Sequence, residues 1–334
     1  MTTAALTGLG VYLPSGRTSA AEIAAASGLP GTVVADKLGI REKTVASPQD
    51  HPTAMAVRAA HDALDEAGID AGAIDVVISM TEEHKEYPVW TSGIKLAHDL
   101  GANHAYAFDI GQKCGTGVLA LKLARDLLRA DPDVRTVLVA GGYRNADLID
   151  YRDPNVRFMY NLGAGAGAAV VQRDVPGHAL LGASIVTDGS LSEDVRVPVG
   201  GTCTPLTPDN IGEYRLQVPD PIGMRERLES RSVANFLQVI QQAVARSHAP
   251  LDSIAYLALL HMKRSAHDQV LALLDLAPER SIYLDGYGHI GQVDQILSLM
   301  LAREAGRLRE GDLAVLVAAG VGYVWNALCL RWHG

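Results

Sequence analysis

The chain has 334 residues, carries a formal net charge of −9, and is 48% apolar but only 5% aromatic. This length suits one large or two fused domains, and the acidic balance argues against a broad nucleic-acid surface. No apolar run reaches the ~20 residues that span a bilayer, and the N-terminus lacks the charged and apolar regions of a signal peptide. The three scattered cysteines, Cys114, Cys203 and Cys329, favour a reducing cytoplasm without a disulfide framework.

The first half of the chain alternates predicted strands with predicted helices. Apolar runs predict buried strands over residues 4–12, 74–79, 105–110, 136–140 and 168–172. Apolar residues at helical spacing predict helices over 54–68 and 115–128.

The second half shows the same alternation of predicted strands and helices. Strands are predicted over 178–187, 254–260, 282–284, 313–319 and 323–331, and helices over 225–247, 266–274 and 290–306. The alternation indicates an α/β fold with buried sheets. Two halves of similar order favour an internal duplication with domains 1–174 and 175–334. The proline-rich stretch 202–220 is the longest predicted loop and a candidate cover for a site.

Cys114 lies where a predicted strand turns into a helix, in Phe108-Asp-Ile-Gly-Gln-Lys-Cys114-Gly-Thr-Gly117. A thiol there faces the N–H groups and positive end of the helix, which favours the thiolate. We interpret Gly115 and Gly117 as removing bulk so that a substrate reaches the sulfur. The alternative is a small buried hydrophobic residue without chemistry. The glycine-framed turn and the neighbouring base candidates favour a nucleophile.

Two histidines are candidate bases. His261 follows a predicted strand, where a histidine is as often an ordinary polar residue as a functional one. His289 stands between Gly288 and Gly291, which predict a flexible, exposed backbone, and Asp294 follows near a helix start. A carboxylate that reaches His289 would fix its tautomer and stabilise the imidazolium. Asp294 is equally suited to interact only with the helix dipole.

Several segments together resemble the thiolase superfamily, and specifically ketoacyl-carrier-protein synthase III. They are the segment around Cys114 together with Gly8-Leu-Gly-Val-Tyr-Leu-Pro14, Lys37-Leu-Gly-Ile-Arg-Glu42, Asn161-Leu-Gly-Ala-Gly-Ala-Gly-Ala-Ala-Val-Val171 and Gly320-Val-Gly-Tyr-Val-Trp325. The resemblance covers nearly the whole chain. It implies a five-layered α/β/α/β/α fold with two duplicated halves, a homodimer and an acyl thioester on Cys114.

The chain departs from the synthase pattern at the catalytic residues. The synthases use Cys, His and Asn, and their His and Asn donate hydrogen bonds to a malonyl thioester carbonyl. His261 matches the family's histidine, but His289 replaces the asparagine, and a neutral His289 is expected to donate at most one such bond. A His–Asp pair is similar to a subgroup in polyketide and related pathways. Members of that subgroup often transfer an acyl group to a hydroxyl.

The expected reaction therefore carries an acyl group from a donor through Cys114 to a hydroxyl or other heteroatom of a small-molecule acceptor. His289, oriented by Asp294, removes the acceptor proton, and His261 is a secondary site residue. Backbone N–H groups of Cys114, Val321 and Gly322 are the expected oxyanion donors.

The expected donor is an acyl carrier protein or coenzyme A, and no metal or permanently bound cofactor is expected. Val33 stands near the position where the family often has a tryptophan that stacks on the adenine of coenzyme A, which favours a carrier protein. Lys37 and Arg41 are candidates for the phosphopantetheine phosphate, or else ordinary solvated charges.

Two other functions compete with this one. A starter-unit condensing enzyme would join the acyl group to a malonyl carrier through a carbon–carbon bond. A non-catalytic partner subunit of a heteromeric synthase is disfavoured, because Cys114 is intact. Release of carbon dioxide from a malonyl carrier separates the first alternative from transfer to a heteroatom.

Overall fold

A computed structural model describes residues 2–333 of the chain. The predicted strands and helices of the first half are present with shifted ends, and the structure adds four further elements. In chain order, the elements are β1 (Ala4–Tyr12), β2 (Gly16–Ser19), α1 (Ala20–Ser27), β3 (Glu42–Val45), α2 (Pro52–Ala67), β4 (Val76–Ser79), α3 (Ser92–Leu100), β5 (Tyr106–Asp109), α4 (Thr116–Ala130), β6 (Thr136–Tyr143) and β7 (Gly165–Arg173). The four that were not predicted are β2, α1, β3 and α3.

The second half runs from β8 to β11. Its elements are β8 (His178–Thr187), α5 (Pro221–Arg246), β9 (Ile254–Leu259), α6 (Arg264–Leu273), α7 (Asp294–Glu304), β10 (Leu313–Gly320) and β11 (Val324–Arg331). The predicted domain boundary at 174/175 lies in the turn between β7 and β8.

Three predicted elements of the second half differ from the structure. Helix α5 begins at Pro221, four residues before the predicted start, because the Asp220 side chain caps it by accepting from Gly223 N. Residues 282–284 form no strand, since the Ile282 N–H donates to the Tyr256 hydroxyl at 3.2 Å and not to a neighbouring strand. The last helix begins at Asp294 rather than 290, because a 3₁₀ turn, Gly291–Val293, precedes it.

The strands form a sheet that is continuous but nearly divided in the middle. Within residues 2–333 its order is β5-β4-β6-β7-β1-β8-β11-β10-β9. The two parts join through β1 and β8, which pair only at Ala5 with Ala179 and Leu6 with His178. Helices α2 and α3 cover the outer face of the first part, and α5 covers that of the second. Helices α4 and α7 contact strands of both parts, which gives the expected five layers.

Small residues allow these layers to pack closely. Helix α2 crosses β1 at Gly8 and Gly10, where an added Cβ would overlap the carbonyl oxygens of Ala63 and Ala59. The core between these layers consists mainly of alanine, valine and leucine side chains. This agrees with a composition in which only 5% of the residues are aromatic.

The carboxyl ends of the parallel strands lie at one edge of the sheet. Strands β5 and β6 both pair with β4 in parallel, so their carboxyl ends lie together. In such sheets ligands bind outside the carboxyl ends of the strands. Cys114 follows β5 at this edge. Between residues 2 and 333, no helix is long and apolar enough to cross a membrane.

Candidate active site

Cys114 lies in the short 3₁₀ turn Lys113–Gly115 that leads into α4, as the sequence predicts. Thr116 holds this turn, because its hydroxyl donates to Lys113 O at 2.6 Å and accepts from Gln112 N at 2.8 Å. Asn326 of β11 also donates to Gly115 O at 2.8 Å. The second half of the chain thus helps to fix the nucleophile segment.

The two glycines beside Cys114 have a different role from the one expected. A Cβ at Gly117 would overlap Gln292 O, and one at Gly115 would lie 2.8 Å from the Asn326 side-chain nitrogen. The space beside both glycines is filled by the second half of the chain rather than left open to substrate. Their small size brings the two halves together at the nucleophile.

His289 is buried and held by its backbone, contrary to the predicted flexible, exposed position. Its N–H donates to Asn161 O at 2.7 Å, and its carbonyl accepts from Gly163 N at 2.8 Å. The flanking glycines permit this arrangement: Gly288 has φ 75°, and Gly291 has φ 54°. Because a left-handed backbone is strained for other residues, these glycines fix His289 in place.

Asp294 is both the first residue of α7 and the partner of His289, so the two interpretations of this residue are compatible. Its Oδ2 lies 2.6 Å from His289 Nδ1 and accepts from His261 N at 2.7 Å. Its Oδ1 accepts from Ile290 N at 2.7 Å. The carboxylate is fully buried and connects both histidine segments.

The charges around His289 favour its protonated form. Burial alone lowers the pKa of His289, but Asp294 and then Cys114 outweigh it and hold that pKa well above its ordinary value. In the neutral form, Asp294 keeps the proton on Nδ1, and Nε2 is then an acceptor. Neutral His289 therefore accepts a proton and, contrary to the sequence-based expectation, has no N–H left to donate to a substrate carbonyl.

His261 lines the same cavity, but both of its ring nitrogens have protein partners. Its Nε2 lies 3.0 Å from Gly39 O, and its Nδ1 lies 2.8 Å from the Asn161 side-chain nitrogen. Since a carbonyl only accepts, Nε2 carries the proton and Nδ1 accepts from Asn161. Burial lowers the pKa of His261 to about 4, so the ring is neutral at pH 7.

Of the three residues expected to supply oxyanion donors, two line the cavity and one does not. Gly320, at the end of β10, abuts the nucleophile turn, where an added Cβ would lie 3.0 Å from Cys114 N. Cys114 and the adjoining Val321 both line the cavity. Gly322 is exposed and lies outside the cavity lining, although its neighbours Val321 and Tyr323 line the cavity.

Lys37 and Arg41 are also exposed and lie outside the cavity lining. Arg41 forms an ion pair with Asp285 at 3.6 Å. Both basic residues flank Gly39, which contacts His261 at the cavity wall. Their charges are thus close to the site without entering it.

A cavity of about 670 Å³ contains Cys114 and His289. One wall is apolar, and its residues come mainly from α5 and from the chain that precedes it. Representative members are Leu148, Phe158, Leu216, Leu228, Val233 and Phe236. Part of the predicted 202–220 loop lines the cavity through Tyr214 and Leu216.

The lining also holds polar residues that the sequence analysis did not identify as site residues. Glu82 follows β4, Tyr143 ends β6, Asn145 follows it, and Asn161 contacts His261. For Glu82, Tyr143 and Asn145, the position at or just after the ends of neighbouring parallel strands was the available signal. No group of His, Cys, Asp and Glu side chains that could hold a metal ion occurs in the part of the chain that the structure describes.

Family comparisons match both halves of the chain. The family model of 3-oxoacyl-[acyl-carrier-protein (ACP)] synthase III matches residues 108–189. The model of the C-terminal part of the same synthase matches residues 244–332. The first matched range contains Cys114, and the second contains His261, His289 and Asp294.

Individual relatives extend over almost the whole length. A β-ketoacyl-[acyl-carrier-protein] synthase III of Bradyrhizobium diazoefficiens is 28% identical over 97% of this chain and 97% of its own. A 3-oxopimeloyl-[acyl-carrier-protein] synthase of Rhodothermus marinus is 29% identical over 98% of this chain and 94% of its own. The crystal structure of 3-oxoacyl-[acyl-carrier-protein] synthase III from Aquifex aeolicus matches with a TM-score of 0.85 at 23% identity, covering 98% of this chain and 100% of that one.

The five layers and the structural match define the thiolase fold, in which Cys114 leads into helix α4. The matches of both halves to family models, together with the full-length relatives, give the class as a transferase of the synthase III type. The chain belongs to the 3-oxoacyl-[acyl-carrier-protein] synthase III type of this superfamily.

Proposed function

We propose that this protein transfers an acyl group from a carrier protein, through a thioester on Cys114, to a hydroxyl group of a small-molecule acceptor. The pairing of His289 with Asp294 at 2.6 Å is the observation that carries the proposal. It keeps a proton on Nδ1, so that Nε2 acts as a base beside Cys114. A general base is needed when a hydroxyl attacks a thioester, and it contributes roughly 10²–10⁴-fold.

In the first half-reaction the Cys114 thiolate attacks the donor thioester, and the carrier thiolate leaves. The imidazolium of His289 gives its proton to the leaving sulfur and becomes neutral. Backbone N–H groups of Cys114 and Val321 stabilise the oxyanion of the tetrahedral intermediate. The products are acyl-Cys114, a carrier thiol and a neutral His289.

In the second half-reaction the acceptor hydroxyl attacks the acyl carbon of the Cys114 thioester. His289 takes the hydroxyl proton as the new C–O bond forms and the C–S bond breaks. The enzyme returns to the thiolate and imidazolium, and the product is an ester. Asp294 stabilises the imidazolium in both half-reactions and remains ionised.

The names of the relatives favour a second candidate, a condensing enzyme that forms a carbon–carbon bond with a malonyl carrier. That reaction requires hydrogen-bond donors at the malonyl carbonyl. In this chain Gly39 O accepts the proton of His261, and Asp294 holds that of neutral His289. The shortage of free donors supports transfer to a hydroxyl over condensation.

The test separates the two reactions on one acyl-enzyme. Cys114 is loaded from a butyryl carrier protein, its adduct is followed by intact-protein mass spectrometry, and either cyclohexanol or malonyl carrier protein is added. We expect the alcohol to discharge the adduct as butyryl ester without carbon dioxide release. Carbon dioxide release coupled to a ketoacyl carrier product would establish the condensing reaction instead. Cys114→Ala is the unloaded control.

The proposed donor is a carrier protein, the partner that the names of the relatives contain. Lys37 and Arg41 lie near the cavity wall through Gly39, and we assign them to the phosphopantetheine phosphate. Loading from butyryl carrier protein and from butyryl-coenzyme A distinguishes the donors. A Lys37→Ala, Arg41→Ala variant is expected to raise KM for the donor and leave discharge of acyl-Cys114 by cyclohexanol unchanged.

We also propose a homodimer that forms through β5, the edge strand of the sheet. Its Tyr106 is 51% exposed, and the nearby Val89 and Ile94 are also exposed. An exposed edge strand with apolar side chains pairs readily with another strand. Light scattering is expected to give twice the chain mass, and Val89→Glu with Ile94→Glu is expected to give the monomer. A monomeric unmodified protein would exclude this dimer.

We place the reaction in the cytoplasm and in natural-product biosynthesis. A working thiol requires a reducing compartment, and the three cysteines are free. His289 stands where the synthases have an asparagine that stabilises the malonyl enolate. This difference supports an acceptor other than the malonyl carrier of fatty-acid elongation. Detection of the acyl-enzyme in a cytoplasmic extract tests the first assignment, and identification of the acceptor tests the second.

A further inference from the structure

The cavity lining includes a cluster of polar residues, called here the polar corner. Glu82 lies just after β4, and Tyr143 and Asn145 lie at and after the end of the adjacent parallel strand β6. Asn145 Nδ2 donates to Glu82 Oε2 at 2.8 Å, which fixes the carboxyl group. The corner shares the cavity with Cys114 and His289. None of its residues has a role in the two half-reactions above.

Buried oxygens of this cavity lack hydrogen-bond donors. Glu82 Oε1, Asn145 Oδ1 and Asn161 Oδ1 are buried and have no hydrogen-bond partner among residues 2–333. The side chains of Glu82 and Asn161 are more than nine-tenths buried. Native proteins satisfy nearly all buried polar atoms, because an unsatisfied one is costly. All three atoms accept hydrogen bonds, so the group that completes them carries donors.

The electrostatics of the corner favour a neutral ligand over a cationic one. Burial raises the pKa of Glu82, and the charge of Glu83 raises it further, while Lys113 and His289 oppose this rise. A carboxyl group with a raised pKa is nearer to neutrality than an exposed one. Hydroxyl groups both donate and accept hydrogen bonds, and thus match either protonation state of Glu82.

The chemistry of the cavity lining assigns the ligand to the acceptor rather than to the acyl group. Its apolar residues, such as Leu228, Val233 and Phe236, suit an aliphatic acyl chain. The unpaired oxygens of Glu82 and Asn145 suit the other substrate. The acceptor must also place one hydroxyl at His289 for proton removal. Its remaining hydroxyl groups are then available to the corner.

We propose that Glu82, held by Asn145, is the specificity-determining residue for the acceptor, and that the acceptor is a neutral compound with at least two hydroxyl groups. One hydroxyl reacts at His289, and a second donates a hydrogen bond to Glu82. This assignment rests on the proposed transfer to a hydroxyl. A site built around a substrate hydroxyl discriminates strongly against the analogue that lacks it, because its buried polar groups are left unpaired.

The test compares two probes that differ by one hydroxyl, trans-1,2-cyclohexanediol and cyclohexanol. Discharge of butyryl-Cys114 is measured as kcat/KM for each probe. We expect the unmodified protein to prefer the diol by about tenfold or more. Glu82→Ala is expected to abolish this preference while Cys114 still loads at the normal rate. Normal loading shows that the variant is folded.

Two further variants sharpen the test. In Glu82→Gln, the amide oxygen pairs with Asn145 Nδ2, so the cavity receives an N–H donor in place of an acceptor. Because a hydroxyl also accepts hydrogen bonds, this variant is expected to keep part of the diol preference, whereas an ammonium group would lose its partner. Glu83→Gln removes the adjacent carboxylate, whose side chain is 72% exposed and pairs with Lys113. That control is expected to keep the diol preference.

The outcomes separate this inference from the proposed function. If neither alcohol discharges the acyl-enzyme but malonyl carrier protein does, the proposed function fails. If both alcohols discharge it equally in the unmodified protein, or Glu82→Ala slows both equally, the assignment of Glu82 fails while the transfer reaction stands. A stronger preference for trans-2-aminocyclohexanol, lost in Glu82→Gln, would overturn the neutral acceptor and indicate an amine.

Discussion

His261 Nε2 lies 3.0 Å from the carbonyl oxygen of Gly39, and this bond turns the ring's only proton away from the substrate. The matching histidine of the synthases is expected to donate to a malonyl carbonyl. Here the other ring nitrogen, Nδ1, accepts a hydrogen bond from the Asn161 side-chain nitrogen at 2.8 Å. His261 therefore connects the 37–42 segment to the cavity wall, and His289 with Asp294 remains as the proposed catalytic pair.

This arrangement predicts that His261 matters more for stability than for transfer. His261→Gln removes a buried ring and leaves Gly39 O or Asn161 poorly paired, at a cost of about 1–3 kcal/mol. Urea unfolding is expected to show this loss, while discharge of acyl-Cys114 by an alcohol changes less than about tenfold. A hundredfold loss of discharge with normal stability would give His261 a direct catalytic role.

The three residues of the proposed catalytic group are expected to affect different steps. Cys114→Ala abolishes acyl loading and labelling by iodoacetamide at that position. His289→Ala and Asp294→Asn slow discharge by an alcohol roughly 10²–10⁴-fold, because the general base is absent or misoriented. Loading and discharge are followed separately by intact-protein mass spectrometry.

Asp268→Asn is the matched control for Asp294→Asn, since Asp268 is exposed on α6 and pairs only with Arg264 among the described ion pairs. It is expected to leave both steps unchanged. Equal loading defects in the Cys114, His289 and Asp294 variants would show that the His–Asp pair activates Cys114 rather than the acceptor.

Buried neutral histidines predict a loss of stability in mild acid. Burial lowers the pKa of His178, His261 and His267 to about 4, whereas the ordinary value is near 6.5. Between pH 6.5 and 4 the unfolded chain binds protons that the folded chain excludes. The free energy of unfolding therefore falls with pH, by at most about 1.4 kcal/mol per pH unit for each histidine.

Urea unfolding at several pH values between 7 and 4.5 measures this slope. In His261→Gln the histidine contribution is expected to fall by about a third, because His178 and His267 remain. His104→Gln replaces an exposed histidine and is expected to keep the full slope. A slope that is the same in all three proteins would mean that His261 is protonated in the folded state.

Gly288 is expected to be indispensable to the position of His289. In Gly288→Ala the new Cβ would overlap Asn161 O and lie 2.7 Å from Lys43 Cβ, at a φ of 75°. Overpacking and backbone strain together are expected to cost about 2–5 kcal/mol and to displace His289, which lowers discharge. Gly28→Ala is the control, since Gly28 has φ 70° and open space around it. If the two variants lose equal amounts of stability and of discharge activity, backbone strain alone explains the effect of Gly288→Ala.

Much of the fold follows from local patterns. Buried apolar runs such as residues 136–140 and the helical spacing in 54–68 predict their elements within a few residues. Residues 282–284 show the limit of this method, because a strand needs a partner as well as an apolar sequence. There the Tyr256 hydroxyl accepts the backbone N–H that a neighbouring strand would otherwise bind.

The site was predictable where one segment supplies both partners, and less so where distant segments meet. His289 and Asp294 are five residues apart, and the structure places them in contact. Glu82 and Asn145 meet only because β4 and β6 are neighbours, which their spacing in the sequence does not reveal. The hydrogen bond between His261 Nε2 and Gly39 O likewise joins distant segments of the chain.

The contacts that complete the nucleophile come from residues made late in synthesis. Gln292 packs against Gly117, Asn326 holds Gly115, and His289 is the proposed base beside Cys114. A nascent chain that contains only the first half therefore carries Cys114 without these contacts. On the proposed mechanism, acylation of Cys114 would report completed folding, because the base and the supporting residues are made after the thiol.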